Sequence, residues 1–164
     1  MLIFVFDVTS KDFVGDLEKY VNCLVALSDL SKQAKIFCLI HKMDLLAESE
    51  RENRFLEKRA RILEATKPEF KSKTECFKTS IWDETLYKAW SQIVSILLTN
   101  QPKLTSSLKE ICETLHANEV VLFEKSTFLV ISHYDAVNHE DVHRFEKISN
   151  IIKQFKLSCI KTNY

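Results

Sequence analysis

Residues 34–45 have the sequence AKIFCLIHKMDL, which is the most informative stretch for the fold. The nearly continuous apolar run from Ala34 to Ile40 is typical of a strand buried on both faces of a parallel sheet. The polar residues His41, Lys42 and Asp44 follow where that strand ends. Because ligands of open parallel sheets bind at the carboxyl ends of the strands, we expect a functional site in this loop.

The same strand-and-helix pattern extends to both sides of this stretch. An apolar run at 2–8 predicts a first strand covered on both faces, and helical spacing after Asp16, the expected N-cap, predicts the helix that follows. A charged segment at 47–64 predicts a largely exposed helix, residues 76–79 predict a short third strand, and Asp83 is the expected cap of another helix. This alternation predicts parallel strands joined by right-handed crossovers.

A second part of the chain follows a predicted linker at 99–103, which contains Pro102. Beyond the linker, the pattern predicts a helix, two short paired strands at 120–123 and 128–131, and a helix with an apolar stripe along 142–155. A two-stranded sheet is rarely stable by itself. We therefore expect this part to be completed by further chain or by a partner.

The glycine content excludes two kinds of phosphate site. The chain contains one glycine, Gly15, where average usage predicts about eleven. A phosphate-binding G-x-x-x-x-G-K-[ST] loop needs two glycines and a dinucleotide-binding G-x-G-x-x-G loop needs three, because the backbone must turn sharply against the phosphate. Neither motif occurs in this sequence.

The charge and cysteine content also limit the possible partners. Lys plus Arg and Asp plus Glu each total 23, so no net field attracts nucleic acid or anionic lipid. The five cysteines are scattered singly, which predicts reduced thiols in an intracellular protein. The apolar runs have strand length, so we expect no membrane span.

The loop His41-Lys42-Met43-Asp44 fits the N/H-K-x-D pattern by which GTP-binding proteins recognise guanine. An ionised Asp44 can accept hydrogen bonds from the ring N–H and the exocyclic amino group of guanine, two donors that adenine does not present on that edge. The stem of Lys42 can lie along the base plane. Taken alone, the motif also fits a polar turn after a strand.

The loop after the third strand, Thr79-Ser80-Ile81, is the matching candidate. The backbone N–H of Ile81 can donate to the carbonyl of the base, and Ser80 can brace the turn. Three residues are a weak pattern by themselves. Their position one strand-helix unit after the first loop favours the functional interpretation.

Three other features have structural interpretations. His139-Glu140-x-x-His143 matches the helical zinc motif H-E-x-x-H, but no third ligand is evident, and we interpret these residues as exposed residues at a helix start. Asp12-x-x-Gly15 matches a GTPase switch motif, yet it opens a helix and lies too close to the first loop. Trp82 and Trp90 are interpreted as core and interface packing.

Five stretches together resemble the Rag GTPases, namely residues 2–8, 34–45, 79–90, 119–134 and 141–159. They are spread along nearly the whole chain, from residue 2 to residue 159. The sequence WDETLY at 82–87 is similar to the RagA/RagB branch in particular, and histidine in place of the usual asparagine at position 41 is itself a Rag feature.

The resemblance implies the C-terminal half of a P-loop GTPase (residues 1–99, mostly parallel sheet) and a truncated α/β roadblock or longin-like dimerisation domain (residues 100–164). It implies GTP or GDP as the ligand and hydrolysis of GTP to GDP as the reaction of the complete protein. The implied guanine-binding residues are His41, Lys42, Asp44, Ser80 and Ile81.

The resemblance places the P-loop, the switch regions and the Mg²⁺ ligands upstream of Met1, and the end of the roadblock domain beyond Tyr164. We therefore expect no catalytic residue and no metal ligand within this sequence, and no hydrolysis by these residues alone.

The resemblance also implies partners. The complete protein would form a heterodimer with a RagC/RagD-type GTPase, bind a lysosomal scaffold, and relay amino-acid sufficiency to the TOR kinase complex. It would be cytoplasmic and reach the lysosomal or vacuolar surface through partners only, with no nucleic acid involved. The alternative is a non-catalytic interaction module that binds a partner through the helix around Phe145 to Phe155 and holds no nucleotide.

Overall fold

The computed structural model describes residues 1–98, 100–139, 141 and 143–161. The chain divides into two compact units, Met1–Ala89 and Trp90–Tyr164. This division lies ten residues before the domain boundary predicted between residues 99 and 100, and it falls within a helix. Each unit is described by itself.

The first unit alternates strands and helices. Its elements are β1 (Leu2–Asp7), α1 (Phe13–Leu30), β2 (Ile36–His41), a 3-10 turn (Met43–Leu45), α2 (Glu48–Ala65), α3 (Pro68–Lys71), β3 (Thr74–Thr79) and α4 (Thr85–Leu97), which continues past the division. The strands are parallel, in the order β1-β2-β3. The predicted α/β class with a parallel sheet is confirmed.

The central strand β2 carries the core. Ile36, Cys38 and Ile40 join the buried cluster that α1 and α2 complete on one face, and Phe37 and Leu39 are buried on the other face. The predicted burial of this strand on both faces is therefore confirmed. Continuous apolar character is what a strand needs when neither face meets water.

Burial of β1 on both faces was also predicted, and this prediction is wrong. Val5 in the middle of β1 is 54% exposed. Among the described residues, β1 is the edge strand of the sheet and pairs only with β2. An edge strand has fewer covering elements, so an apolar pattern does not by itself ensure burial.

The start of α1 lies earlier than the sequence pattern predicts. Asp12, and not Asp16, is the N-cap, and its carboxylate accepts a 3.0 Å hydrogen bond from the backbone N–H of Gly15. A side chain at Gly15 would place its Cβ 2.3 Å from Oδ2 of Asp12. The D-x-x-G sequence is therefore a helix cap, as interpreted above, and Asp16 instead accepts a hydrogen bond from the Ser10 hydroxyl.

The second unit contains a helix packed on a two-stranded antiparallel sheet. Its elements are α5 (Gln101–Leu115), β4 (Glu119–Phe123), β5 (Val130–Asp135) and α6 (Arg144–Lys161). Leu108 and Cys112 of α5 are buried, and α5 packs against both strands. The predicted helix start at Val142 lies outside the described residues.

The predicted linker at 99–103 is wrong in its second half, since Gln101 begins α5 and Pro102 lies in the first turn of that helix. Proline is tolerated there because the first-turn N–H groups have no helical acceptor. The predicted strand start at Phe128 is also wrong. Phe128 has a left-handed φ of 56° and its N–H donates to the carbonyl of Glu124, so the chain is still turning before β5.

Within the described part of the chain, no helix combines the length and apolar character needed to cross a bilayer.

Candidate functional site

The two loops that follow β2 and β3 start at the same level of the sheet. His41 and Thr79 are direct partners in the parallel register, and both are the last residues of their strands. We call residues 41–46 and 79–84 the strand-end loops. Parallel pairing therefore brings the predicted site residues of both loops to one edge of the sheet.

The first strand-end loop turns sharply at Lys42. This residue adopts the left-handed conformation with φ 65° and ψ 35°, which is uncommon for residues other than glycine. Met43 is buried in the core beneath the turn. The backbone N–H of Leu45 donates to the carbonyl of Lys42 over 3.1 Å, which closes the 3-10 turn that contains Asp44.

The two strand-end loops are joined by a side-chain hydrogen bond. The hydroxyl of Ser80 donates to Oδ1 of Asp44 over 2.5 Å, and it accepts from the backbone N–H of Trp82 over 3.0 Å. Ser80 is completely buried. The orientation of the Asp44 carboxylate is thus set by the other loop, as a preorganised acceptor requires.

The start of α4 holds the second strand-end loop in place. The backbone N–H of Ser80 donates to the Thr85 hydroxyl over 2.8 Å. That hydroxyl donates in turn to the Asp83 carboxylate, which also accepts from the backbone N–H of Thr85. Sequence reasoning identified Asp83 as a helix cap and missed Thr85, although an Asp-x-Thr sequence is a recognisable local turn pattern.

Lys42 reaches back to the end of the first strand. Its ammonium lies 2.6 Å from Oδ2 of Asp7, the last residue of β1. Partial burial opposes ionisation of Asp7, yet the hydrogen bonds from Lys42 and Thr9 lower the pKa of its carboxyl from 3.8 to about 2. Asp7 and Thr9 were not predicted as site residues, and only the end-of-strand position of Asp7 could have indicated it.

His41 is held from the neighbouring strand. Its ring Nδ1 lies 3.0 Å from the hydroxyl of Thr79, which is itself completely buried. The imidazole is therefore fixed at the strand end.

Arg51 of α2 supports the backbone of the first loop. Its guanidinium donates to the carbonyl of Leu46 over 3.1 Å and to that of Asp44 over 3.4 Å. The charged helix α2 thus contributes to the site as well as to the surface.

Ile81 and Trp82 project from the second loop. Their side chains are 65% and 80% exposed, so Trp82 does not pack in the core, and its interpretation as interface packing stays a prediction. Of the predicted site residues, the structure brings His41, Lys42, Asp44 and Ser80 to one sheet edge with Ile81 beside them. The predicted contribution of Ile81 is that of its backbone N–H, which does not require a buried side chain.

The H-E-x-x-H sequence does not form the helical pair of histidines that a zinc protease needs. Helix α6 begins only at Arg144, after His139 and His143. The interpretation of these histidines as exposed positions is wrong, because Nε2 of His139 and Nδ1 of His143 are both shielded from solvent. Glu140 lies outside the described residues.

The fold and the paired loops define the class: an α/β protein with a site at the carboxyl edge of a parallel sheet. The family described as the Gtr1/RagA G protein conserved region matches residues 1–152. The chain belongs to this family of G proteins, and the resemblance to the RagA/RagB branch is confirmed.

Individual relatives agree with the family match. The chain is 55% identical over 162 residues to Ras-related GTP-binding protein A of Dictyostelium discoideum, covering 99% of this chain and 53% of that protein. It is 54% identical over 163 residues to GTP-binding protein gtr1 of Schizosaccharomyces pombe, covering 98% and 52%. It is 52% identical over 161 residues to Ras-related GTP-binding protein B of Rattus norvegicus, covering 98% and 42%. The chain thus spans about half the length of the curated relatives it matches.

Proposed function

We propose that this chain is the guanine-reading part of a Rag-type small GTPase that binds GTP and GDP. The observation that carries the proposal is the 2.5 Å hydrogen bond from Ser80 to Asp44. It joins the strand-end loops and leaves the Asp44 side chain half-buried at the sheet edge. A fixed carboxylate at that place can accept from the two N–H donors that distinguish guanine from adenine.

The energetic reason for selectivity is the cost of an unpaired acceptor. A buried polar group left without its hydrogen bond costs about 1 to 3 kcal/mol, and a charged group costs more. A site built to pair with substrate N–H groups can reject a ligand that lacks them by roughly 10⁴-fold. Adenine would leave Asp44 with the hydrogen bond from Ser80 but without the two donors of the base.

Lys42 and His41 complete the proposed base site. The ion pair with Asp7 anchors the Lys42 ammonium, so its methylene stem is available to lie along a base. His41 is anchored by Thr79. The second loop would supply the backbone N–H of Ile81 to the base carbonyl, with Ser80 and Thr85 holding the turn.

For the complete protein we propose hydrolysis of GTP to GDP with Mg²⁺ as cofactor. The 164-residue sequence contains no G-x-x-x-x-G-K-[ST] motif, so phosphate and Mg²⁺ binding are assigned to parts of the complete protein outside it. Family membership over residues 1–152 supports this assignment. No residue of this chain is assigned a catalytic role.

We further propose that the complete protein pairs with a RagC/RagD-type GTPase and relays amino-acid sufficiency to the TOR kinase complex at the lysosomal or vacuolar surface. The region after residue 99 would supply dimer and scaffold contacts. Support comes from the family match and from the 52–55% identity to Rag-type relatives.

A second candidate function is a partner-binding module without nucleotide. Helix α6 favours it, because its apolar side chains at Ile151, Phe155 and Ile160 are 67%, 71% and 61% exposed. An apolar helix face of this kind is typical of a surface that another protein covers. The two functions differ in whether the protein binds guanine nucleotide.

The test uses the complete product of the gene, tagged at its own locus and purified under native conditions. The proposal predicts co-purification of a RagC/RagD-type GTPase and of GTP or GDP released on denaturation. Replacing Asp44 by alanine should remove most of the nucleotide bound by this subunit. Co-purification of a partner with no guanine nucleotide assignable to this subunit would favour the interaction module instead.

A further inference from the structure

Three metal-ligating side chains converge in the second unit, away from the strand-end loops. Glu119 and Asp135 are direct partners across the β4–β5 pair, and His139 lies in the segment after β5. One carboxylate oxygen from each acidic residue and one ring nitrogen of His139 all lie within 4.8 Å of one another. Two carboxylates placed directly opposite repel each other, so this arrangement requires compensating positive charge.

Arg144 supplies part of that charge, and it contacts one oxygen of each carboxylate. Its Nε donates to Oε1 of Glu119 over 2.9 Å, and its terminal nitrogen donates to Oδ2 of Asp135 over 2.6 Å. The other oxygen of Glu119, Oε2, lies 3.7 Å from Nε2 of His139. With neutral histidine, the two carboxylates and one guanidinium retain a net charge of −1. His133 also faces the cluster, with Nε2 3.9 Å from Oδ2 of Asp135.

Two further atoms of the cluster, one on Asp135 and one on His139, have unsatisfied hydrogen-bonding capacity. Among the described residues, Oδ1 of Asp135 and Nε2 of His139 are shielded from water and have no hydrogen-bond partner. Such unsatisfied polar atoms are rare in folded proteins and each needs a cause, an unseen ion being one. A cation that accepts lone pairs satisfies the imidazole and both carboxylates at once. A direct hydrogen bond between His139 and Glu119 would not, since 3.7 Å is too long.

We propose that Glu119, Asp135 and His139 form a Zn²⁺ site, with Arg144 holding the outer oxygens of the two carboxylates. One imidazole and two carboxylates suit Zn²⁺, whereas Mg²⁺ and Ca²⁺ prefer oxygen ligands throughout. Ligand atoms around tetrahedral zinc lie about 3.4 Å apart, given bonds near 2.1 Å. The observed 3.7 Å between His139 and Glu119 requires little adjustment.

Three protein ligands leave one position for water. The ion would fasten the segment carrying His139 to the ends of β4 and β5. Arg144 would act as the supporting partner that orients ligating carboxylates.

Calorimetric titration of the full 164-residue chain with ZnCl₂, under conditions that keep the thiols reduced, tests the site. We expect one Zn²⁺ per chain at this site, with affinity lowered at least about tenfold in His139→Ala and in Glu119→Gln. The control is His116→Asn, which removes another histidine at a left-handed helix end where asparagine is tolerated. Zinc affinity that is the same in all four proteins would overturn the proposal.

Two further measurements distinguish this site from zinc binding by cysteine thiols. They use the unmutated chain, so they do not depend on variants that could misfold. The Co²⁺ complex should lack thiolate charge-transfer absorption, because the proposed ligands are nitrogen and oxygen. The imidazole ¹⁵N spectrum should show Zn²⁺ shifting one histidine at its Nε2, assigned to His139. A thiolate band at one equivalent of Co²⁺, or an unchanged His139 ring, would contradict the site. Both readouts are independent of nucleotide, so their failure leaves the proposed GTPase function untouched.

Discussion

The hydroxyl of Ser80 links the two strand-end loops, and this link can be removed alone. Replacing Ser80 by alanine deletes the hydrogen bond to Asp44 and the one from Trp82 at a completely buried position. We expect a loss of about 1 to 3 kcal/mol in the free energy of unfolding, since the partners lose their hydrogen bonds. Urea denaturation followed by circular dichroism measures this loss.

The matched control for that experiment is Ser49→Ala. Ser49 is exposed in the first turn of α2, so its change should stay within about 0.5 kcal/mol. Equal stability of the Ser80 and Ser49 variants would show that the hydroxyl does not hold the loops together.

The ion pair of Asp7 with Lys42 gives a prediction for acid stability. The pKa of Asp7 is lowered from 3.8 to about 2 by hydrogen bonds that outweigh the opposing effect of burial. The folded state therefore binds this proton less readily than the unfolded state. The resulting stabilisation is present above about pH 4 and is lost as the pH falls toward 2.

Asp7→Asn separates this contribution from other acid effects. The unmutated chain should be the more stable of the two near neutral pH, and its advantage should shrink between about pH 4 and pH 2. Denaturation curves of both proteins across that range provide the comparison. An advantage that is independent of pH would mean that Asp7 is not preferentially ionised in the folded state.

At the scale of elements, α1 owes its place to one buried face. Leu24 is fully buried in the core, whereas its neighbour Val25 is 46% exposed. We expect Leu24→Ala to cost about 2 to 5 kcal/mol in unfolding free energy through lost burial and the cavity it leaves. Val25→Ala should change stability by less than about 0.5 kcal/mol. Thermal denaturation of the pair checks this, and similar losses in both would place the helix differently on the sheet.

The elements themselves were largely predictable because periodicity reports burial. The apolar run before His41 identified the central strand, and the 3.6-residue spacing identified the long helices. The predicted element boundaries were wrong where a single local contact determines the boundary. The backbone N–H of Gly15 donates to the carboxylate of Asp12, so α1 begins closer to the N-terminus than predicted. Phe128 has a left-handed φ, so β5 begins closer to the C-terminus than predicted. Periodicity carries no information about such contacts.

The candidate site was predictable to the extent that it is local in sequence. His41, Lys42 and Asp44 form one motif, and Ser80 follows the next strand. The supporting residues Asp7, Thr79 and Thr85 depend on parallel pairing and on the start of α4, so only the fold shows their roles. The cluster of Glu119 with His139 could not be predicted for the same reason, because only the fold brings these residues, which are distant in sequence, together.

At the scale of the whole molecule, the missing phosphate motif sets the expected affinity. The sequence holds the two loops proposed to recognise guanine and no G-x-x-x-x-G-K-[ST] motif. We expect these 164 residues to bind GTP more weakly than about 1 μM, since phosphate and Mg²⁺ contacts supply much of the affinity for a nucleotide. Equilibrium dialysis with labelled GTP measures the dissociation constant. A value well below micromolar would mean that this chain holds phosphates by means other than a P-loop.

The proposed recognition of guanine by the strand-end loops can be tested without phosphates, through selectivity for the base. The measurement is a ¹H-¹⁵N NMR titration of the chain with guanosine and with adenosine at equal concentration. We predict that guanosine shifts the amide signals of residues 41–46 and 79–84 and that adenosine does not. In Asp44→Asn, whose amide can donate as well as accept, the response to guanosine should fall and a response to xanthosine should appear. Equal shifts with both nucleosides, or guanosine shifts confined to other parts of the chain, would contradict the account.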